Sequence, residues 1–255
     1  MIKQHSVIVG GTRGIGREIV KEFSNQGHIV SIVGRREPKA EDKKILNAHF
    51  WMLDLAEQTN IAATFQKIIH QNGKINNLIF SQRFRGESDP WGGELEVSLT
   101  ATKNIIECVK ENFNKSEGGA IVIISSIASE YVADEQPVSY HVGKAGLVQL
   151  GRYYAVLLGP KGIRVNVISP GTIIKEESKG FYQDNQELVD MYQSIVPLGR
   201  MGTSQDIAQL VSFLCSSKSS FITGQNIVVD GGLSLQWHES LARKLAQLSN
   251  IKVTR

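Results

Sequence analysis

The sequence predicts an α/β fold: a doubly wound parallel sheet of about seven strands with helices on both faces. Short apolar runs rich in Val and Ile alternate with longer amphipathic segments along almost the whole chain, the pattern of strands joined by crossover helices. The runs are nearly continuous in apolar residues rather than alternating with polar ones, as strands covered on both faces must be. The first run passes directly into a glycine-rich turn and then a helix-forming stretch, a strand–turn–helix opening that suits a nucleotide-binding α/β sheet.

The strands are read at HSVIVG (5–10), HIVSIVG (28–34), HFWML (49–53), NLIFS (77–81), AIVIIS (120–125), IRVNVIS (163–169) and QNIVVD (225–230). Helices are read at 15–26, 57–71, 94–113, 140–158 and 204–215. Two segments break the rhythm. Residues 172–200 carry charges, Gly180 and Pro197 on a weak helical pattern and read as a flap over a site. Residues 233–255 place Trp237, Leu241, Leu245 and Leu248 at helical spacing and read as a C-terminal helical extension. With no repeat or internal linker, residues 1–255 form a single domain.

The composition is that of an ordinary globular protein, 41% hydrophobic and 21% charged over 255 residues. A net charge of +3 is too small to argue for nucleic acid or a membrane surface. No apolar stretch approaches the roughly 20 residues of a membrane span, and the start does not resemble a signal peptide. Cys108 and Cys215 lie far apart and form no redox or metal motif, so a cytoplasmic protein is expected. His5, His28, His49 and His70 have no ligand spacing, and no metal is expected. His141 points away from its neighbour Tyr140 on a helix, and His238 falls in the tail.

The glycine turn GGTRGIG (10–16) brings together Gly10, Thr12, Arg13, Gly14, Ile15 and Gly16. Side chains at its glycines would block a bound phosphate, and the helix that follows aims free N–H groups and its positive dipole end at that phosphate. An acidic residue closing the second strand would hold a ribose 2′-hydroxyl. Here Gly34, Arg35 and Arg36 stand instead, with Arg13 in the turn, and basic groups suit a 2′-phosphate. NADP(H) is therefore the expected cofactor. Tyr140 and Lys144, in YHVGK (140–144), lie one helical turn apart. On spacing alone they could be a polar stripe; their meaning depends on what surrounds them.

With these pieces placed, the chain resembles the single-domain branch of the short-chain dehydrogenase/reductase family, a Rossmann-type fold. It is most similar to the 3-oxoacyl-carrier-protein reductase-like members. The resemblance covers about residues 5–232. It rests on GGTRGIG (10–16), Asp54-Leu55, IVIISS (121–126), YHVGKAG (140–146), IRVNVISPG (163–171), PLGRMG (197–202) and TGQNIVVDGG (223–232).

The resemblance implies that Tyr140 donates a proton to a carbonyl oxygen. Lys144 would favour the phenolate and hold the nicotinamide ribose, and Ser126, rather than Ser125, would bond the substrate oxygen. It places Asp54, Leu55, Ser81, Gln82, Pro170, Gly171, Ile173 and Lys175 along the cofactor. It also implies a small-molecule or carrier-bound carbonyl substrate and a homo-oligomer, a tetramer or dimer, with helices 94–113 and 140–158 at one contact.

This chain departs from the family in several places. FSQR (80–83) replaces Asn-Asn-Ala-Gly, and either the bulkier residues turn outward or the pocket is reshaped. Arg83 and Arg85 then sit at the substrate mouth, favouring an anionic group or acidic carrier, or are solvated loop residues. Ser98 replaces the asparagine that holds a relay water. Lys175 replaces a threonine at the pyrophosphate, and Val9 replaces a threonine before the turn. The Ser126–Tyr140 separation is one residue longer than expected. The leading expectation is NADPH-dependent reduction of a ketone or 3-oxoacyl substrate. The alternatives are NADP-dependent oxidation of a secondary alcohol and a catalytically weak dinucleotide-binding protein.

Overall fold

The computed structural model describes residues 3–38, 47–86, 88–114 and 118–246. The apolar runs become β1 (His5–Val9), β2 (Ile29–Gly34), β3 (Ala48–Met52), β4 (Asn77–Phe80), β5 (Gly119–Ile124) and β6 (Ile163–Pro170), with β9 (Asn226–Val229) closing the sheet. These seven strands are all parallel, in the order β3-β2-β1-β4-β5-β6-β9. From β1 the chain winds one way to β3 and then the other way from β4 onward. The crevice beyond the carboxyl ends of β1 and β4 is where such a sheet receives a ligand.

Alternate residues of each strand face opposite layers. Val7, Val9, Leu78, Phe80, Ile121 and Ile123 pack against helices α2 (Thr59–Asn72), α4 (Ala101–Val109) and α5 (Val138–Leu158). Ile8, Ile32, Ile79, Val122 and Ile124 pack against α1 (Gly14–Asn25) and α8 (Ser204–Cys215). Both layers are largely apolar, with Ser6, Ser31, Asn77 and Asn166 buried in the strands among Val and Ile, so the strands read as nearly continuous hydrophobic runs.

The helix expected at 94–113 is built in three pieces. Asp89 caps α3 (Pro90–Glu94), its carboxylate accepting from the Gly92 N–H at 3.0 Å. A π-helical turn follows over Leu95–Thr100, and α4 continues from Ala101. The widened turn carries Ser98 into the interior, where it has no exposed surface.

A small parallel pair, β7 (Ile173–Ile174) with β8 (Gly202–Thr203), brackets the segment read as a flap. That segment holds α6 (Lys179–Asp184) and α7 (Gln186–Ile195). In the tail a 3-10 turn (Leu233–Leu235) precedes α9 (His238–Leu245), and Leu248 lies outside the described residues. The tail docks on α7: Gln236 Nε2 donates to Ile195 O at 2.6 Å, and Lys244 Nζ donates to Ser194 O. Among the described residues, no helix is long and apolar enough to cross a membrane.

Candidate active site

One cleft runs across the carboxyl ends of the strands, and the glycine turn forms its floor. Gly10 has φ +81°, and a Cβ there would lie 2.6 Å from Gln82 N, so only glycine lets the β4 loop come so close. At Gly16 a Cβ would lie 2.2 Å from Gly10 O. Gly16 thus seats α1 on the turn from beneath and does not itself line the cleft. At the start of α1, Gly14 N–H donates to the Glu177 carboxylate at 3.1 Å. That carboxylate stands in for the anion which a helix N-terminus recruits.

Arg13, Arg35, Arg36, Arg85 and Lys175 line the same end of the cleft. None of them is ion-paired among the described residues. Burial first, then the charges of Arg85 and Arg83, lowers the Lys175 pKa, partly offset by Glu177. Burial likewise lowers that of Arg85, with Arg83, Arg13 and Arg36 adding to it. Gln82 donates through Nε2 to Thr102 Oγ1 at 2.8 Å, while its Oε1 is buried with no partner. A glycine cradle, a carboxylate at the helix terminus, unpaired cations and an orphaned acceptor together fit a phosphate-rich dinucleotide.

Asp54, Leu55, Ser81, Pro170, Gly171 and Ile173 also line the cleft, as does Thr12 beside Ile15. Asp54 shapes the turn after β3 by accepting from Ala56 N–H at 3.0 Å. Ser81 N–H donates to Val9 O at 2.8 Å and ties the β4 loop to the glycine turn.

Farther along the cleft stand Ser126, Tyr140 and Lys144. Pro137 precedes α5, and Tyr140 and Lys144 share a face one turn apart. Lys144 is buried, with Nζ donating to Ile124 O at 3.2 Å and lying 5.5 Å from the Tyr140 ring centroid. Burial pushes its pKa down to about 8; Glu94 opposes that shift, while Arg83 and Lys175 add to it. The adjacent serines divide their work. Ser125 is buried and donates to Lys144 O at 2.8 Å, fixing α5 to the end of β5. Ser126 Oγ accepts from Ala128 N–H at 3.2 Å, which leaves its proton for another acceptor.

Ser98 and Arg83, both named from sequence, meet partners at this end that the sequence did not show. Ser98 is placed behind the cleft wall, and its hydroxyl donates to buried Glu94 Oε1 at 2.5 Å. Gly143 leaves room for that carboxylate: a Cβ there would lie 3.3 Å from Glu94 Cγ. The available sequence signal was an acid four residues before Ser98 on an otherwise apolar helical face. In the loop FSQRFR, alternate residues part company. Phe84 packs against Gly93, where a Cβ would lie 2.3 Å from the ring, while Arg83 and Arg85 face the cleft. The Arg83 guanidinium lies over the Tyr140 ring, 4.6 Å from its centroid.

His141 and Tyr131 are otherwise engaged. His141 accepts from Ala133 N–H at 2.9 Å and braces the loop before α5. The Tyr131 hydroxyl donates to Ser234 O at 3.4 Å.

A family model described as enoyl-(acyl carrier protein) reductase matches residues 9–234. The chain is 32% identical to the 3-oxoacyl-[acyl-carrier-protein] reductase of Chlamydia muridarum, an alignment covering 92% of this chain and 98% of that one. It is 31% identical to the protein of the same name from Aquifex aeolicus, covering 89% and 96%. It is also 31% identical to carbonyl reductase family member 4 of Xenopus tropicalis, covering 90% and 97%. Among solved structures, ElxO with NADP bound superposes with a TM-score of 0.80 at 25% identity, covering 92% of this chain and 100% of that one. Aldohexose dehydrogenase of Thermoplasma acidophilum, in ligand-free form, gives 0.82 at 22% identity, covering 92% and 96%.

Proposed function

We propose that this chain, which belongs to the short-chain dehydrogenase/reductase family, is an NADPH-dependent reductase of a ketone or 3-oxoacyl substrate. The observation that carries this reading is the shared cleft. Ser126, Tyr140 and Lys144 lie along the same groove as the glycine turn and the unpaired arginines.

The glycine turn and the N-terminus of α1 would hold the pyrophosphate, with Lys175 as a nearby point charge. Arg13, Arg35 and Arg36 would take the 2′-phosphate, and Gln82 Oε1 can accept from a cofactor hydroxyl. When bound, the nicotinamide supplies the hydride. Tyr140 gives its phenolic proton to the carbonyl oxygen, and Ser126 donates a hydrogen bond to the same oxygen as negative charge gathers there. Lys144, still charged at neutral pH, and Arg83, over the ring, stabilise the charge left on the phenol. Glu94 keeps a counter-charge behind Lys144, with Ser98 as its donor.

The relatives named as 3-oxoacyl-carrier reductases and the NADP-bound neighbour support the substrate class and the cofactor. Val142, Tyr153, Val156 and Leu157 expose an apolar stripe along α5, with Val156 81% exposed. That stripe suits a homo-oligomer built through this helix. A cytoplasmic location is part of this reading.

The test is oxidation of NADPH, with NADH in parallel, in the presence of ketones and 3-oxoacyl thioesters. Turnover with an NADPH preference of about tenfold or more supports the reading, since one charge-assisted phosphate contact is worth about 1.5–3 kcal/mol. Equal use of NADH, or no turnover across the panel, refutes it.

A further inference from the structure

We propose that Arg83 forms a subsite for an anionic group carried by the substrate itself. The compound reduced would then be an oxoacid whose carboxylate lies within a few bonds of the reacting carbonyl. The carbonyl chemistry at Tyr140 is taken from the reductase reading; the anion subsite stands on separate geometry.

Arg83 lines the cleft beside Ser126 and Tyr140, and its guanidinium lies 4.6 Å from the Tyr140 ring centroid. One edge is anchored, with Nη2 donating to Gln136 Oε1 at 2.8 Å, in the loop joining Ser126 to Tyr140. The rest of the fork is unspent, because a guanidinium carries five N–H donors. Arg83 makes no ion pair among the described residues. Arg85 and Lys175 stand close enough to repel it. The carboxylate within reach of those two cations is Glu177, already bonded to Gly14 N–H at the phosphate end.

Gathering unpaired like charges costs stability, and an arriving anion relieves that cost. The phosphates of a dinucleotide answer the cations beside the glycine turn. Arg83, though near Arg85 and Lys175, lies over the ring of Tyr140, the proton donor of the reductase reading. A substrate whose carbonyl oxygen accepts from Tyr140 and Ser126 is held beside this ring, so a carboxylate a few bonds away can reach the fork. Two parallel N–H···O bonds to a carboxylate are the geometry that a guanidinium favours. In a thioester the corresponding carbon carries no charge, so the subsite separates a free oxoacid from a carrier-bound acyl group. Phe84, turned inward against Gly93, sets this register: it leaves Arg83 and Arg85 facing the cleft.

The experiment is calorimetric titration of the full chain, saturated with NADP+, using 3-oxobutanoate and its uncharged analogue 3-oxobutanamide, ketones that the oxidised cofactor leaves unreduced. The acid is expected to bind at least about tenfold tighter, with an advantage that shrinks as salt is added. Arg83→Ala should erase the difference, and Arg83→Lys should keep part of it. Arg83→Gln serves if the alanine variant does not fold. Equal affinity for acid and amide, or an advantage that survives loss of the guanidinium, overturns the subsite. An acid preference with no NADPH oxidation on 3-oxobutanoate or on any ketone or thioester of the panel would sustain the subsite and sink the reductase reading. Oxidation with equal handling of acid and thioester would do the reverse.

Discussion

Replacing Lys144 with methionine should abolish turnover and yet stabilise the protein. Burial holds the Lys144 pKa at about 8 against the usual 10.5. At about 1.4 kcal/mol for each tenfold change in proton affinity, the charged group costs the fold about 3 kcal/mol. Below pH 8 the lysine is protonated in both the folded and unfolded chain, and the penalty is felt in full. Between about 8 and 10.5 the unfolded chain holds a proton that the fold gives up, so stability rises with pH across that window. Methionine removes the penalty but also the bond to Ile124 O, worth about 1 kcal/mol. The net gain is about 2 kcal/mol. For a chain of this size that raises Tm by roughly 4–8 °C at pH 7. Thermal unfolding of the cofactor-free protein and variant, at pH 7 and again near pH 10.5, reads both magnitude and window. A variant less stable at pH 7, or a gain that does not shrink on raising the pH, would refute the reasoning.

Other expectations follow from the same geometry. Replacing Arg35 and Arg36 together by alanine should weaken NADPH binding by about tenfold to a hundredfold and leave NADH little changed, as read by fluorescence titration. Asp206→Ala should cost about 1–2 kcal/mol in urea unfolding. It removes the capping box at α8, where Asp206 Oδ2 accepts from Thr203 N–H at 2.7 Å, and the paired contacts with Arg200 at 2.8 and 2.9 Å. Arg200 holds the Asp206 carboxyl well below its usual range. Its contribution is therefore present above the ordinary carboxylate pKa and is lost as pH falls below it. Val156→Glu, on the exposed stripe of α5, should halve or quarter the mass measured by light scattering; a wild type that already runs as a monomer would refute the oligomer.

The sheet was legible because its central strands are buried on both faces, and Val and Ile continuity marks the strands to within a residue or two of their observed ends, although the edge strands β3 and β9 are only partly covered. The glycine turn was legible for a related reason: Gly10 and Gly16 leave no room for a Cβ, and the sequence must show that directly. The helix at 94–113 was only partly legible. Its apolar spacing is consistent with a plain α-helix, and the one local sign of the π-helical turn is the acid at Glu94, four residues before the Ser98 hydroxyl that donates to it. The loop FSQRFR was ambiguous for a different reason. Which of its large side chains turn inward is decided by the bare backbone of Gly93, across space. The packing of α9 on α7 rests on side chain to carbonyl bonds from Gln236 and Lys244, which helical spacing does not encode.

Whether Tyr140 is the proton donor is decided by the kinetics of Tyr140→Phe with NADPH and the best substrate of the panel. Loss of the phenolic proton while the glycine turn and arginines are untouched should lower kcat by about a thousandfold or more and leave NADPH affinity within a few-fold. A Tyr140→Phe enzyme that keeps turnover within about tenfold of wild type would contradict the account.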